Sequence, residues 1–163
     1  MINSQGIIKN TRYLPCKTNF LYKYDINRYY GKLSLNNIHN NIIKIISDAD
    51  FILDFHEGYD YHIVNPNSIG STISTSKRSG ITLNIANLIQ KNLNKTIKNK
   101  KKHFLVRTYE ENIKYSLRHY CQNNNLNYNL IEITGQNNIQ PINLRIKQTI
   151  NVLETVFKYY KII

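Results

Sequence analysis

The sequence has no tryptophan, three prolines, six glycines and two cysteines in 163 residues. Two thiols, Cys16 and Cys121, are too few for a disulfide framework, and the absence of any Cys-x-x-Cys excludes a cysteine zinc ribbon. No apolar run approaches the ~20 residues that span a bilayer. The opening MINSQGIIKN lacks the charged-then-apolar layout of a secretory leader. Acidic residues are scarce as well: 10 Asp+Glu stand against 22 Lys+Arg, a formal charge of +12. Together these absences point to a cytoplasmic protein of a reducing compartment with no membrane association. A hydrophobic content of 41% supplies enough apolar surface for a single buried core.

A strongly basic chain raises the prospect of nucleic acid, because lysine and arginine gain affinity by releasing counterions from phosphates. Most of the excess, however, is lysine scattered among asparagine and isoleucine, the residues favoured by AT-rich codons. The one cluster is Lys98, Lys100, Lys101 and Lys102, followed by His103. It falls between two apolar segments and reads first as a solvated loop, with a nucleic-acid patch as the weaker alternative. The 13 tyrosines form no base-stacking pattern that would strengthen it.

Apolar periodicity sets out the elements. Ile38, Ile42, Ile45 and Ile46 recur at helical spacing and predict a helix over Asn36 to Ser47, with His39 on its solvated face. Phe51-Ile52-Leu53-Asp54-Phe55 predicts a buried strand. The stretch from His56 to Ser79, rich in serine and holding Gly58, Pro66 and Gly70, reads as a long loop. Helical period returns through Leu83, Ala86, Ile89 and Leu93, and Phe104-Leu105-Val106 is a second strand. Thr108 and Glu111 form a capping box expected to open a helix running to about Tyr120. Leu130 to Thr134 is a third strand. Ile142, Ile146, Ile150, Leu153 and Phe157 mark one face of a closing helix. Helices alternating with short strands predict an α/β fold, a mixed and largely parallel central sheet flanked by helices, in one domain over residues 1–163.

Three groups of residues carry chemical potential. His56 closes a buried strand, where α/β sheets place ligands, and Asp54 could fix its tautomer; a satisfied strand-end histidine is the plain alternative. Glu132 interrupts an apolar strand, where an ionised group is costly unless paired, so it reads as a general base or as an outward residue of an edge strand. Arg12 and the pair Asn27-Arg28 have the chemistry of a carboxylate clamp, or are ordinary surface arginines.

In sequence order, Asn10-Thr11-Arg12-Tyr13, Asp25-Ile26-Asn27-Arg28, Asp54-Phe55-His56 and Ile131-Glu132-Ile133 resemble the zinc carboxypeptidase superfamily. The resemblance is closest to its succinylglutamate desuccinylase/aspartoacylase branch and runs from about Asn10 to the final helix. It implies a Zn2+ ion with His56 as one ligand, and Glu132 as the residue that activates water and protonates the leaving amine. Arg12 would polarise the scissile carbonyl, Asn27 and Arg28 would hold a substrate carboxylate, and the loop with Ser68 and Gly70 would line the pocket. The substrate would be a small acylated amino acid or a peptide with a free carboxylate.

The same resemblance calls for an upstream His-x-x-Glu, and none of His39, His56, His62, His103 or His119 has Glu three residues on. The chain therefore reads as a hydrolase domain lacking its N-terminal part, truncated or split, with a partner chain able to supply the missing ligands. His62 is an alternative local ligand, though a loop position suits it better. A non-catalytic carboxylate-binding module built on Arg12, Asn27 and Arg28 is the alternative of a different class.

Overall fold

The computed structural model describes residues 13–14, 24–25, 27, 30, 37–77, 80–108 and 114–163. The chain divides into two compact units. The first comprises Met1–Ala49 and Asn112–Tyr120, the second Asp50–Glu111 and Cys121–Ile163.

In the first unit, strands β1 (Tyr13–Leu14) and β2 (Tyr24–Asp25) form a short antiparallel ladder. Helix α1 (Asn37–Ser47) follows. Its inward side follows the isoleucine spacing only in part: Ile46 is buried as expected, but so is His39, expected on the solvated face, whereas Ile45 is 73% exposed. His39 meets the Tyr30 ring edge-on at 4.8 Å, an aromatic contact that offsets the loss of water around the imidazole. Tyr115 adopts φ 62°, a left-handed conformation that ends any helix. The helix expected from Thr108 therefore does not run through it. Helix α3 starts only at Leu117 and ends at Asn123, and Glu111 of the expected capping box lies outside the described residues.

The second unit is an α/β fold with a four-stranded mixed sheet. Its strands are β3 (Ile52–Gly58), β4 (Thr72–Thr75), β5 (Leu105–Arg107) and β6 (Tyr128–Thr134), in the order β3-β6-β4-β5. β3 runs parallel to β6 and β4 parallel to β5, while β4 and β6 are antiparallel. Strand β4 lies inside the segment expected to be loop. All four of its residues are buried, three of them Thr or Ser, so no apolar alternation announced it.

Helices α2 (Ile81–Thr96) and α4 (Ile142–Tyr159) complete this unit. α2 buries Thr82, Ile85, Ala86, Ile89 and Leu93, the face its periodicity predicts. Ile85, Ile89, Leu93 and Phe104 join Ile73, Ile131, Ile133, Val152 and Val156 in the core. α4 turns a different face inward from the expected one. Gln148, Val152, Thr155 and Val156 are buried, while Ile142, Ile146 and Ile150 are 65%, 52% and 48% exposed. Hydrogen bonds make the polar face tolerable: the Gln140 and Gln148 amides pair reciprocally at 3.2 Å, and Asn92 donates to the Thr155 hydroxyl at 3.1 Å.

Cys121 is fully buried, and burial, with the Asp54 charge adding to it, pushes its thiol up to about 12. A thiol so placed holds almost no thiolate at neutral pH. In a Cys16→Ser background at pH 8, Cys121 should stay unlabelled by a thiol reagent for as long as the fold holds and react at once in urea. Rapid labelling of the folded chain would show that this part of the core opens.

Candidate active site

The parallel pairing of β3 and β6 brings His56 directly opposite Glu132. Side chains two residues apart share a face of a strand, so Asp54 and His56 on β3 stand beside Tyr128 and Glu132 on β6. The His56 Nε2 lies 3.3 Å from Asp54 Oδ1, and its Nδ1 lies 3.6 Å from Glu132 Oε1. The first distance is a long hydrogen bond and the second an electrostatic contact. The Tyr128 hydroxyl donates to Asp54 Oδ2 at 2.8 Å. Burial by itself would push the Asp54 carboxyl up. The hydrogen bond and charge of His56, with the Tyr128 hydroxyl, outweigh it and hold the group below its ordinary value of 3.8.

Glu132 is 2% exposed on an interior strand, flanked by His56 of β3 and Thr72 of β4. The edge-strand reading of this residue is thereby corrected. Its carboxylate is instead held inside the sheet next to an imidazole that is one-third exposed, a buried acid beside a group open to solvent.

The segment after β3 closes over this end of the sheet. Tyr61 bridges to Gly70, and Gly70 packs so tightly on Gly58 that neither position has room for a Cβ atom. Ser68 is fully buried: its hydroxyl donates to the Asp60 carbonyl at 2.7 Å and accepts from the Asp60 and Gly70 amides. Ser68 and Gly70 thus shape the loop from within. The His62 Nδ1 contacts the Ser68 carbonyl at 2.7 Å, which makes His62 a loop residue. The Ser71 and Thr134 hydroxyls meet at 2.9 Å across the same turn.

Arg12 and Arg28 fall outside the described residues. Asn27 belongs to the first unit, where its side-chain carbonyl accepts the Leu117 amide at 3.2 Å. Sequence reasoning missed Tyr128 as the partner of Asp54, a pairing that β-strand register alone reveals. It also missed Arg145, which is ion-paired with Glu57 in a groove of ≈ 330 Å3 bordered by Phe55, Ile133, Ile142 and Ile146.

His56, Asp54 and Glu132 are the donors nearest to a metal site, but they do not make one. Among the described residues no group of three His, Cys, Asp or Glu side chains could hold a metal ion. Zinc needs three or four donors at about 2.0–2.3 Å. The described residues therefore do not by themselves fit the ion that the motifs implied.

No family model matches the chain, and no curated protein matches it. Solved structures do. The Gln46His variant of cell shape determinant protein Csd4 from Helicobacter pylori superposes with a TM-score of 0.75 at 16% identity, over 96% of this chain and 41% of that one. The tripeptide-bound Csd4 gives 0.75 at 15% identity with the same coverage. The mDAP-bound form, described as a D,L-carboxypeptidase, gives 0.70 at 16% identity over 83% of this chain and 37% of its own. The chain thus spans about two fifths of the length of these structures, and the likeness defines a fold shared with them. It corrects the motif resemblance. Assignment to the zinc carboxypeptidase superfamily near the succinylglutamate desuccinylase/aspartoacylase branch is not upheld, since no family model matches and the similar structures are those of Csd4. No helix among the described residues is long and apolar enough to cross a membrane.

Proposed function

We propose that the chain is a carboxypeptidase-like hydrolase acting on peptides with a free carboxylate, with Glu132 as its general base. The observation that carries this reading is the placement of His56 between Asp54 and Glu132, at the C-terminal ends of two parallel strands. Open α/β sheets bind their ligands at such strand ends. The likeness of the fold to Csd4, solved with a tripeptide, supports a peptide as substrate. The formal charge of +12 suits an anionic one.

In this reading Glu132 takes the proton of a water as its oxygen attacks the scissile carbonyl, then delivers that proton to the departing amine. His56 orients the carboxylate and is itself oriented by Asp54, which Tyr128 holds in place. A Zn2+ ion is a further proposal: to serve as one donor His56 would release one of its two carboxylate contacts, and the other donors would come from outside the described residues or from a second chain. Elemental analysis of the purified chain, beside His56→Ala, tests that part. Weak, sub-stoichiometric zinc in the isolated chain, lower still in the variant, is expected, and equal content in the two would remove His56 from the donors. About one zinc per chain, lost in the variant, would mean that the chain completes a metal site alone.

The functional reading is tested by comparing one tripeptide with its C-terminal amide. Cleavage of the free acid and little or none of the amide is expected. Equal cleavage of both would remove the carboxylate from the account.

A further inference from the structure

The lysine cluster singled out in the sequence sits at the site end of the sheet. His56 pairs with Glu132, Glu132 with Thr72, and Thr72 with Leu105, so one continuous row crosses all four strands. β3 and β6 end at this side, while β4 and β5 begin there. At ~4.8 Å per strand, Leu105 stands about 14 Å from His56 along that row. The short 3-10 turn Lys100–Lys102 lies just before β5, at the same rim.

The turn is built to hold its position. The Asn99 side chain accepts the Lys101 amide at 3.0 Å, and the Lys102 amide closes on the Asn99 carbonyl at 2.9 Å. The His103 Nε2 contacts the Ile97 carbonyl at 2.8 Å, and Phe104 anchors the chain in the core. From this base the Lys102 ammonium reaches over the Tyr61 ring, 5.2 Å from its centroid. Tyr61 is buried, and its backbone bridges Gly70, which packs on Gly58 two residues beyond His56. The cation–π contact fixes one charge against the loop that closes the site. The acid in this loop, Asp60, turns its carboxylate to the Tyr61 amide at 2.7 Å. Among the described residues, Lys98, Lys100, Lys101 and Lys102 are exposed and none forms a salt bridge with a carboxylate.

We infer that Lys102, seated on Tyr61, is a cationic subsite that selects peptides carrying a second carboxylate upstream of the one at the C-terminus. This rests on the peptide-hydrolase reading and names its substrate class, acidic peptides. Lys100 and Lys101 add long-range attraction, while Lys102, held in one place, gives the preference.

The test is calorimetric binding of Ala-Glu-Ala and Ala-Gln-Ala, both with free C-termini, to the full chain carrying Glu132→Gln so that neither peptide is cleaved. The glutamate peptide should bind about fivefold tighter, as expected for one partly ordered ion pair. Lys102→Ala should abolish that preference and Lys102→Arg should keep it. Lys91→Ala, which removes an exposed charge on α2, should leave it unchanged. A preference that is absent at the start, or that survives Lys102→Ala, overturns the subsite while leaving peptide binding intact. Failure of both peptides to bind overturns the hydrolase reading and the subsite with it.

Discussion

Glu132→Gln should lower peptide hydrolysis by about 10²–10⁴-fold, the range lost when a positioned general base is removed. The substitution keeps the volume and shape of a side chain that is 2% exposed, and it takes away only the charge that can accept a proton. Folding should therefore survive, with a thermal midpoint within a few degrees of the parent. Binding of an uncleaved peptide should change far less than turnover, because the base acts on water in the transition state. Survival of turnover within a factor of a few would mean that another group is the base. A collapse of the fold would mean that the Glu132 charge is structural, balanced against His56 at 3.6 Å.

The largest effect on stability is expected at Phe104. Its side chain is fully buried among Ile85, Ile89 and Leu93 of α2 and Ile73 of β4, and deleting it leaves a cavity that the surrounding elements cannot close. The backbone is pinned as well. The Phe104 amide donates to Asn94 at 2.8 Å, and its carbonyl accepts from Gln90 at 2.9 Å and Asn94 at 3.0 Å. With the main chain held in place, the core cannot shift to fill the gap. Phe104→Ala should cost about 3–5 kcal/mol in urea titration, and Phe104→Leu, which nearly conserves volume, less than about 1.5 kcal/mol. A loss under ~1 kcal/mol for alanine would show that the α2–sheet layer is loosely packed.

What could be read from the sequence followed from how strongly each element advertises its buried face. Strand β3 opens on a short apolar run and helix α2 is apolar at the helical period, so both were legible, although β3 runs on to Gly58 inside the expected loop; β5 and β6 were legible within one or two residues. β4 was hidden because an interior strand built from threonine and serine satisfies its hydroxyls locally, as Thr72 does on the Ile69 carbonyl at 2.6 Å. The face of α4 was misread for a related reason. Its isoleucines mark an exposed stripe, while the inward side relies on the Gln140–Gln148 amide pair, which apolar periodicity cannot register.

The candidate site was legible in parts. His56 and Glu132 stood out as polar residues in apolar strands, and their meeting depended on β3 and β6 being parallel neighbours in matching register. No local signal carries that information, because the two residues are joined only by topology. The same is true of Tyr128 and Asp54. The family suggested by the four short motifs did not survive comparison, since motifs of three or four residues constrain local chemistry more than ancestry.

Whether the Asp54–His56–Glu132 cluster hydrolyses peptides is decided by mass spectrometry of a free-acid acidic tripeptide incubated with the chain in 18O-labelled water. Release of the C-terminal residue and one 18O atom in the new carboxylate of the shortened peptide, both lost in Glu132→Gln, is the expected result. A peptide that binds but is never shortened would contradict it and leave a carboxylate-binding module in place of an enzyme.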